Sequence, residues 1–331
     1  MKEQVKALAL LSGGLDSLLA AKLVVEQGIT VTGVKFTSPL CNCDQGGRCF
    51  ARDAADQLGI SLRTVPKGEE YLTIVRHPRF GRGSGMNPCI DCRIFMFRKT
   101  WELALESSAE FIVTGEVLGQ RPMSQHRQAI ELIEREAGLA GRILRPLSAV
   151  HFPPTIAEEQ GWVDRGRLLG LSGRSRKPQL EMARASGIDA FACAAGGCLL
   201  TDTRFAARLR DLFAWREHVV WHDVMVLKVG RRFAVGTNRI TVGRDETENR
   251  LLTALRGPDD HLLEVRDHGS PITLLQGGLT EAGLELAARL TARYSDCDAE
   301  RVKVHYGQGE LERTVTVVPV TDAETAPLRI G

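Results

Sequence analysis

The sequence predicts an α/β protein in which a doubly wound parallel sheet is followed by a smaller α+β domain. Three observations carry that expectation. From Lys6 to about Ala149, short apolar runs alternate with amphipathic stretches, the rhythm of parallel strands connected by helices that cross back over the sheet. A glycine-rich turn, Ser12-Gly13-Gly14-Leu15-Asp16-Ser17, follows the first apolar run directly. After about Phe205 the pattern changes to strand-like runs joined by short turns. The boundary is expected near Arg204, giving domains 1–204 and 205–331.

In chain order, Ala7–Leu11 reads as a buried strand and Ser17–Glu26 as a helix, with a turn at Gly28. Thr30–Phe36 is the second strand. Ala51–Leu58 is a helix closed by Gly59, and Ile60–Val65 is the third strand. Arg93–Ser107 is helical, and Phe111–Gly115 is the fourth strand. Ala149–Lys177 is broken by Pro153, Pro154 and several glycines, so it reads as a loop-rich insertion with a short helix near Thr155–Gln160. A helix over Pro178–Ser186 follows. In the second domain a helix over Phe205–Trp215 precedes strand-like runs at Val224–Val229, Arg232–Gly236 and Ile240–Gly243. Asp245 opens a helix with Glu248 at capping-box spacing. Thr280 starts an amphipathic helix to Tyr294. Two alternating strands, Val302–Tyr306 and Leu311–Val318, are joined by a turn at Gly307-Gln308-Gly309.

Composition narrows the function classes. The chain has 331 residues, 43% hydrophobic and 25% charged, as in globular proteins of ordinary kind. The first apolar run is too short for a signal peptide, and no apolar stretch approaches the ~20 residues that span a bilayer. A cytoplasmic location with no membrane contact is expected. The net charge is only +2, so nucleic-acid binding requires a local basic patch. The segment Arg165–Lys177 supplies one, with Arg165, Arg167, Arg174, Arg176 and Lys177 and no acid among them. From Phe205 onward, 19 acidic residues against 17 basic ones give no such excess.

The turn Ser12–Ser17 is built for an anion. Its glycines let backbone N–H groups point at a ligand, and the following helix adds partial positive charge. Ser12 and Ser17 can donate hydroxyl hydrogen bonds. Asp16 would repel bare phosphate, which points to Mg²⁺ bridging it to a nucleotide. No Gly-Lys-Ser/Thr follows, so it is no Walker loop. The segment matches SGGxDS and resembles the PP-loop of ATP pyrophosphatases, which cleave ATP between the α and β phosphates and adenylate a substrate oxygen. Thr114-Gly115-Glu116-Val117-Leu118-Gly119-Gln120 resembles the TGExLGQ segment of the tRNA sulfurtransferases that make 4-thiouridine. Asn87-Pro88-Cys89-Ile90-Asp91-Cys92 resembles the NPCxxC segment of the tRNA 2-thiouridylases. The nucleotide site so implied comprises Ser12, Gly13, Gly14, Leu15, Asp16, Ser17, Lys35, Phe36, Gly115 and Gln120, with Asp16 among the catalytic residues.

Eight cysteines in a chain of this kind suggest metal, persulfide or redox chemistry rather than a disulfide scaffold. Cys89 and Cys92 form a C-x-x-C at the start of a helix, and Cys198 follows Gly196-Gly197. Two chemistries stay open. The resemblance to tRNA thiolases implies a [4Fe-4S] cluster on Cys89, Cys92 and Cys198 with one iron open. The resemblance to 2-thiouridylases implies a persulfide handled by Cys92 and Cys198 without metal. Cys41, Cys43 and Cys49 form C-x-C-x5-C and read either as ligands of zinc or a second cluster or, by preference, as thiols of a variable loop, Cys193 as a weaker substitute for Cys198, and Cys297 as a residue of a polar loop. His218 and His222 lack the carboxylate of a zinc protease and read as packing or exposed residues. Gly81–Gly85 reads as a plain loop or a flap, and Arg145 as a fold ion pair or a phosphate contact.

Ile240–Asn249 carries VGR and a later Asn and resembles the RNA-binding domain at the end of NFACT proteins, as do Gly269–Ile272 and the helix ending at Ser295. Arg244, Arg231, Arg232 and Asn249 are the candidate contacts there, beside Arg174, Arg176 and Lys177 of the first domain. Relative to the 4-thiouridine enzymes, an N-terminal tRNA-binding module and a rhodanese-like domain are expected to be lacking. The resulting expectation is ATP-dependent tRNA thiolation, with ATP and Mg²⁺ as cofactors and tRNA and a sulfur donor as partners. The alternatives are an ammonia-using PP-loop ligase, a non-catalytic RNA-binding adaptor, and a sulfurtransferase for small molecules.

Overall fold

The computed structural model describes residues 4–41, 48–188, 191 and 197–331. The chain divides into two compact units, Met1–Leu199 and Leu200–Gly331. The division falls a few residues ahead of Arg204, which lies inside the first helix of the second unit.

The first unit runs β1 (Lys6–Leu10), α1 (Leu15–Val25), β2 (Thr30–Thr37), α2 (Phe50–Leu58), β3 (Ser61–Pro66), α3 (Glu70–Arg76), α4 (Cys89–Ser107), β4 (Phe111–Val113), α5 (Arg127–Ala137), β5 (Ile143–Leu144), α6 (Ile156–Glu159) and α7 (Lys177–Ala185). All strands are parallel, in the order β3-β2-β1-β4-β5. One apolar layer covers each face. Leu18, Leu19, Val24, Ala54 and Phe111 belong to one, and Leu8, Val34, Phe97, Ile112 and Ile133 to the other. Burial on both faces explains why β1 reads as a continuous apolar run rather than an alternating one. The strand order reverses between β1 and β4, and ligands of such sheets bind in the crevice at the carboxyl ends of the strands at that switch point.

Gly59, at φ 64°, closes α2 in the left-handed conformation that a side chain would resist. Arg145 is buried and holds Glu116 at 3.1 Å and Glu134. It is an ion pair of the fold. Breaking such a pair on one side leaves a buried charge and costs about 3–5 kcal/mol.

The second unit runs α8 (Thr203–Trp215), α9 (Trp221–Val226), β6 (Arg231–Val235), β7 (Asn238–Val242), α10 (Glu246–Ala254), β8 (His261–Glu264), β9 (Thr273–Gln276), α11 (Glu281–Arg293), β10 (Val302–Gly307), β11 (Arg313–Val317) and α12 (Asp322–Thr325). Its sheet is antiparallel, in the order β11-β10-β8-β9-β7-β6. Leu286, Ala287 and Leu290 of α11 pack on Phe233, Ile240, Leu263 and Leu275. Thr280 caps α11 and Asp245 caps α10, each accepting from the N–H three residues on and each contributing about 1 kcal/mol. Glu248 takes the N–H of Arg244 rather than that of the cap residue itself.

The strand expected over Val224–Val229 is instead the short helix α9 and a turn. A short apolar run does not distinguish the two, and side chains decide here. Asp223 accepts the Val220 N–H at 3.0 Å, while Arg208 donates to the carbonyls of Leu227 at 2.8 Å and Gly230 at 3.0 Å. Both ends of the turn-rich segment thereby find partners that a strand would take from a neighbour. The sequence reading also missed α3, α5, β5, β8 and β9. Among the described residues, no helix is long and apolar enough to cross a membrane.

Candidate active site

The anion loop lies at the switch point. Gly13 sits at φ 79°, and a Cβ there would stand 2.5 Å from Phe50 Cβ and 2.7 Å from Ala51 N. Glycine is therefore required twice over, by conformation and by space. Gly14 precedes α1 as its N-cap without a side-chain cap, leaving the first N–H groups of the helix for a ligand. The two serines close on one another. Ser17 Oγ donates to the Gly14 carbonyl at 2.8 Å and lies 3.3 Å from Ser12 Oγ. Leu15 is buried and anchors the loop to the core.

Gly115 leaves β4 against this loop. A Cβ on Gly115 would stand 2.5 Å from the Asp16 carbonyl carbon and 2.5 Å from Ser17 N. The next turn brings Gln120, whose Nε2 donates to Asp16 Oδ2 at 2.7 Å. Gln179 of α7 donates to Gln120 Oε1 at 3.3 Å. Arg176 reaches Asp16 Oδ2 at 3.4 Å, so this residue of the expected RNA patch faces the anion loop. Asp16 Oδ1 is buried and bonds nothing among the described residues. An unpaired carboxylate oxygen beside an anion loop fits an oxygen ligand for a hard divalent cation.

Cations that the motif reading did not single out gather here. The Arg121 guanidinium is pushed down by burial and then by the charges of Arg93 and Arg176, with Cys89 and Asp16 opposing. Arg93 also pairs with buried Glu116 at 3.3 Å. The charges of Arg93 and Arg176 acting on Arg121 mark a positive field suited to a polyanion. Arg121 follows Gln120 directly, which was the available signal.

The rest of the expected nucleotide set lies on β2. Lys35 is buried, and its Nζ donates to Cys49 Sγ at 3.1 Å. Phe36 packs against the core layer of Leu8, Val34 and Phe97.

The thiols form a second centre in the same unit. Cys92, in the first turn of α4, accepts from the buried Lys67 Nζ at 3.2 Å. Lys67 also stands 4.2 Å from the centre of the Tyr71 ring. Burial opposes the charge on Lys67, but Cys92, Cys41 and Cys198 outweigh it and raise its pKa above the ordinary value. Burial, then Cys92, Cys198 and Cys41, push the Tyr71 hydroxyl well up. The same three thiols thus act on the charge of both side chains. Cys41 and Cys198 face one another in an antiparallel bridge. Cys89 accepts from Asn87 Nδ2 at 3.1 Å. Asn87 also pins the glycine loop before it, taking the Gly85 N–H at 3.2 Å while its own carbonyl takes the Gly83 N–H at 2.9 Å. That loop is a braced segment.

The expected cluster ligands Cys89, Cys92 and Cys198 are not brought together as a set. Among the described residues no group of three His, Cys, Asp or Glu side chains could hold a metal ion. Cys92 and Cys198 both act on Lys67, and Cys89, three positions before Cys92 at the start of α4, accepts from Asn87. Cys41 was set aside as a loop thiol, and Lys67, a single lysine after β3, carried no motif signal. Cys43 and Cys193 lie outside the described residues.

The basic patch is dispersed. Arg165 pairs with Glu158 at 2.5 Å and donates to the carbonyls of Ala149 and Phe152, and Arg167 donates to the Glu26 carbonyl. Arg174 and Lys177 are exposed. In the second unit Arg244 forks onto Glu248, Arg231 stacks 4.5 Å over Tyr294, Arg232 is buried near Thr241, and Asn249 braces Ser270 and Ile272. His218 and His222 are exposed and do not share a helix.

A glycine-rich anion loop followed by Asp16, at the switch point of a 3-2-1-4-5 parallel sheet, defines a PP-loop nucleotide-binding domain. Residues 2–152 match the family model described as thiamine biosynthesis protein (ThiI), and residues 230–327 match that described as NFACT protein RNA binding domain. A probable tRNA sulfurtransferase of Methanosarcina acetivorans is 32% identical over 181 residues, covering 53% of this chain and 40% of that protein. The tRNA-specific 2-thiouridylase MnmA of Syntrophotalea carbinolica is 37% identical over 125 residues, covering 35% of this chain and 36% of that protein. The chain therefore spans about two fifths of the length of these relatives. MnmA of Bacillus licheniformis is 23% identical across 94% of this chain and 87% of its own length.

Proposed function

We propose that this protein is an ATP-dependent tRNA sulfurtransferase that adenylates a base carbonyl and replaces its oxygen with sulfur. The observation that carries this reading is the fusion of the Ser12–Ser17 loop, with Gly115 packed on it, to a separate centre of thiols in the same unit. A base carbonyl oxygen is a poor leaving group. Transfer of AMP to that oxygen makes it a good one and releases pyrophosphate. The loop amides and the α1 N-terminus hold the phosphates, and Arg93, Arg121 and Arg176 neutralise charge that develops there. When bound, Mg²⁺ supplies further charge neutralisation on the phosphates, and Asp16 is its candidate ligand in this chain.

Sulfur is carried on cysteine. Cys92, held by the Lys67 ammonium, takes the outer sulfur of an external persulfide donor and passes it to Cys198. Its terminal sulfur attacks the activated carbon and AMP departs. Arg174 and Lys177, with Arg244 in the second unit, contribute charge to tRNA binding.

The test is the identity of the nucleotide products. Wild-type protein with ATP, Mg²⁺ and tRNA should produce AMP and pyrophosphate, and Asp16→Asn should not. Production of ADP and phosphate would rule the reading out. Replacing Cys92 or Cys198 by serine should stop sulfur transfer; a turnover indifferent to both would point to a ligase that moves no sulfur.

A further inference from the structure

We propose that Cys41 is the resolving thiol of sulfur transfer and closes a disulfide with Cys198. This rests on the thiolation reading above. Cys41 follows the C-terminal end of β2, and Cys198 lies 157 positions further on, yet the backbone sets them directly opposite in an antiparallel bridge. The Leu199 N–H donates to the Leu40 carbonyl at 2.9 Å and fixes that register. Residues facing one another in an antiparallel pair have Cα atoms about 4.5–5.5 Å apart. A disulfide requires roughly 4.4–6.8 Å. The bond can therefore close with small side-chain rotations.

The remaining described thiols are placed otherwise. Cys92 accepts from Lys67, Cys89 from Asn87 and Cys49 from Lys35. Cys297 belongs to the second unit. Cys41 and Cys92 both lie in the electrostatic neighbourhood of Lys67 and Tyr71 with Cys198, so all three sulfurs serve one centre. Only the Cys41–Cys198 pair among them is in backbone register.

The chemistry balances. A persulfide on Cys198 attacks the adenylated carbon through its terminal sulfur. The C–O bond breaks, AMP leaves with the electron pair, and the base is joined to Cys198 through an S–S bond. The Cys41 thiolate then attacks the Cys198 sulfur. That S–S bond breaks, and the thiolated base leaves with its electron pair and takes up a proton. The transferred sulfur gains two electrons, and the two cysteines lose two on becoming a disulfide. A dithiol reductant restores them, and a persulfide donor reloads Cys198 through Cys92.

The experiment is peptide mapping by mass spectrometry of the full chain. Reduced protein is treated with a small excess of diamide, a diazene that takes two electrons and two protons from two thiols, and is then alkylated and digested. The expected result is a Cys41–Cys198 crosslinked peptide with Cys92 alkylated. In Cys41→Ser, Cys198 should become alkylated. A Cys92–Cys198 crosslink, or alkylation of both Cys41 and Cys198 in wild type, would overturn the proposal. The mapping uses neither ATP nor tRNA, so its failure is distinct from failure of thiolation. A Cys41–Cys198 bond in protein that thiolates no RNA would overturn the resolving role while leaving the disulfide itself established. In protein that does thiolate, Cys41→Ser should accumulate an RNA–protein adduct on Cys198 that dithiothreitol releases; its absence would also overturn the role.

Discussion

The anion loop and the thiol centre belong to one unit and are built in opposite ways. The loop is six consecutive residues whose geometry follows from β1, two glycines and α1. The thiol centre is assembled from four separate segments: Cys41 after β2, Lys67 and Tyr71 after β3, Cys92 in α4, and Cys198 near the end of the unit. Contiguous sites are dictated by local backbone rules. Dispersed sites depend on where the sheet brings chain ends, and that is a tertiary property.

The largest expected effect breaks the loop. Gly115→Ala places a methyl within contact-violating range of the Asp16 and Ser17 backbone. It should shift the start of α1 and lower AMP production by about 100-fold, as displacements near 1 Å at reacting groups do. A steady-state assay of AMP release checks it. Lys67→Met, in the other region, removes a buried cation from three thiols. Sulfur transfer should fall by about 100-fold, with a smaller loss of AMP production, and the ratio of thiolated RNA to AMP measures the split. Equal losses in both readouts would mean that the two regions are one functional unit.

Arg145→Met sharpens the comparison from the side of the fold. It should cost about 3–5 kcal/mol of stability, read as a lowered denaturant midpoint, with KM for ATP little changed. The smallest effect concerns pH. Lys67 is raised above the ordinary lysine value. Its contribution to stability is complete below that ordinary value and is lost as pH rises through the folded one. Melting of the wild type should therefore decline more steeply in strong alkali than melting of Lys67→Met.

The legible parts of the sequence share one trait. Ser12–Ser17, Gly115 and Gln120 were found because they lie in short motifs at the ends of strands, and the structure groups them around Asp16. Lys67 was missed because one lysine in a turn has no local signature. Its meaning comes from burial beside Cys92. Cys41 reads in sequence as one of a local C-x-C-x5-C trio that matches no sulfurtransferase motif, whereas its structural neighbour is Cys198. Arg176 was assigned to RNA by its basic neighbours, yet α7 delivers it to Asp16. In the second unit, β8 and β9 are four residues each and largely buried, so they show no alternation. Arg232 and Asn249 were chosen as RNA contacts by type, but both are engaged in holding β-strands and turns together.

In the proposed function, ATP cleavage is coupled to sulfur insertion in RNA. The most direct measurement incubates the full chain with ATP, Mg²⁺, a persulfide donor and bulk tRNA, and counts AMP and thionucleosides in the same sample by mass spectrometry. One thionucleoside should form per AMP, with both lost on Gly115→Ala. AMP formed without sulfur in the RNA, or ADP in place of AMP, would contradict that coupling.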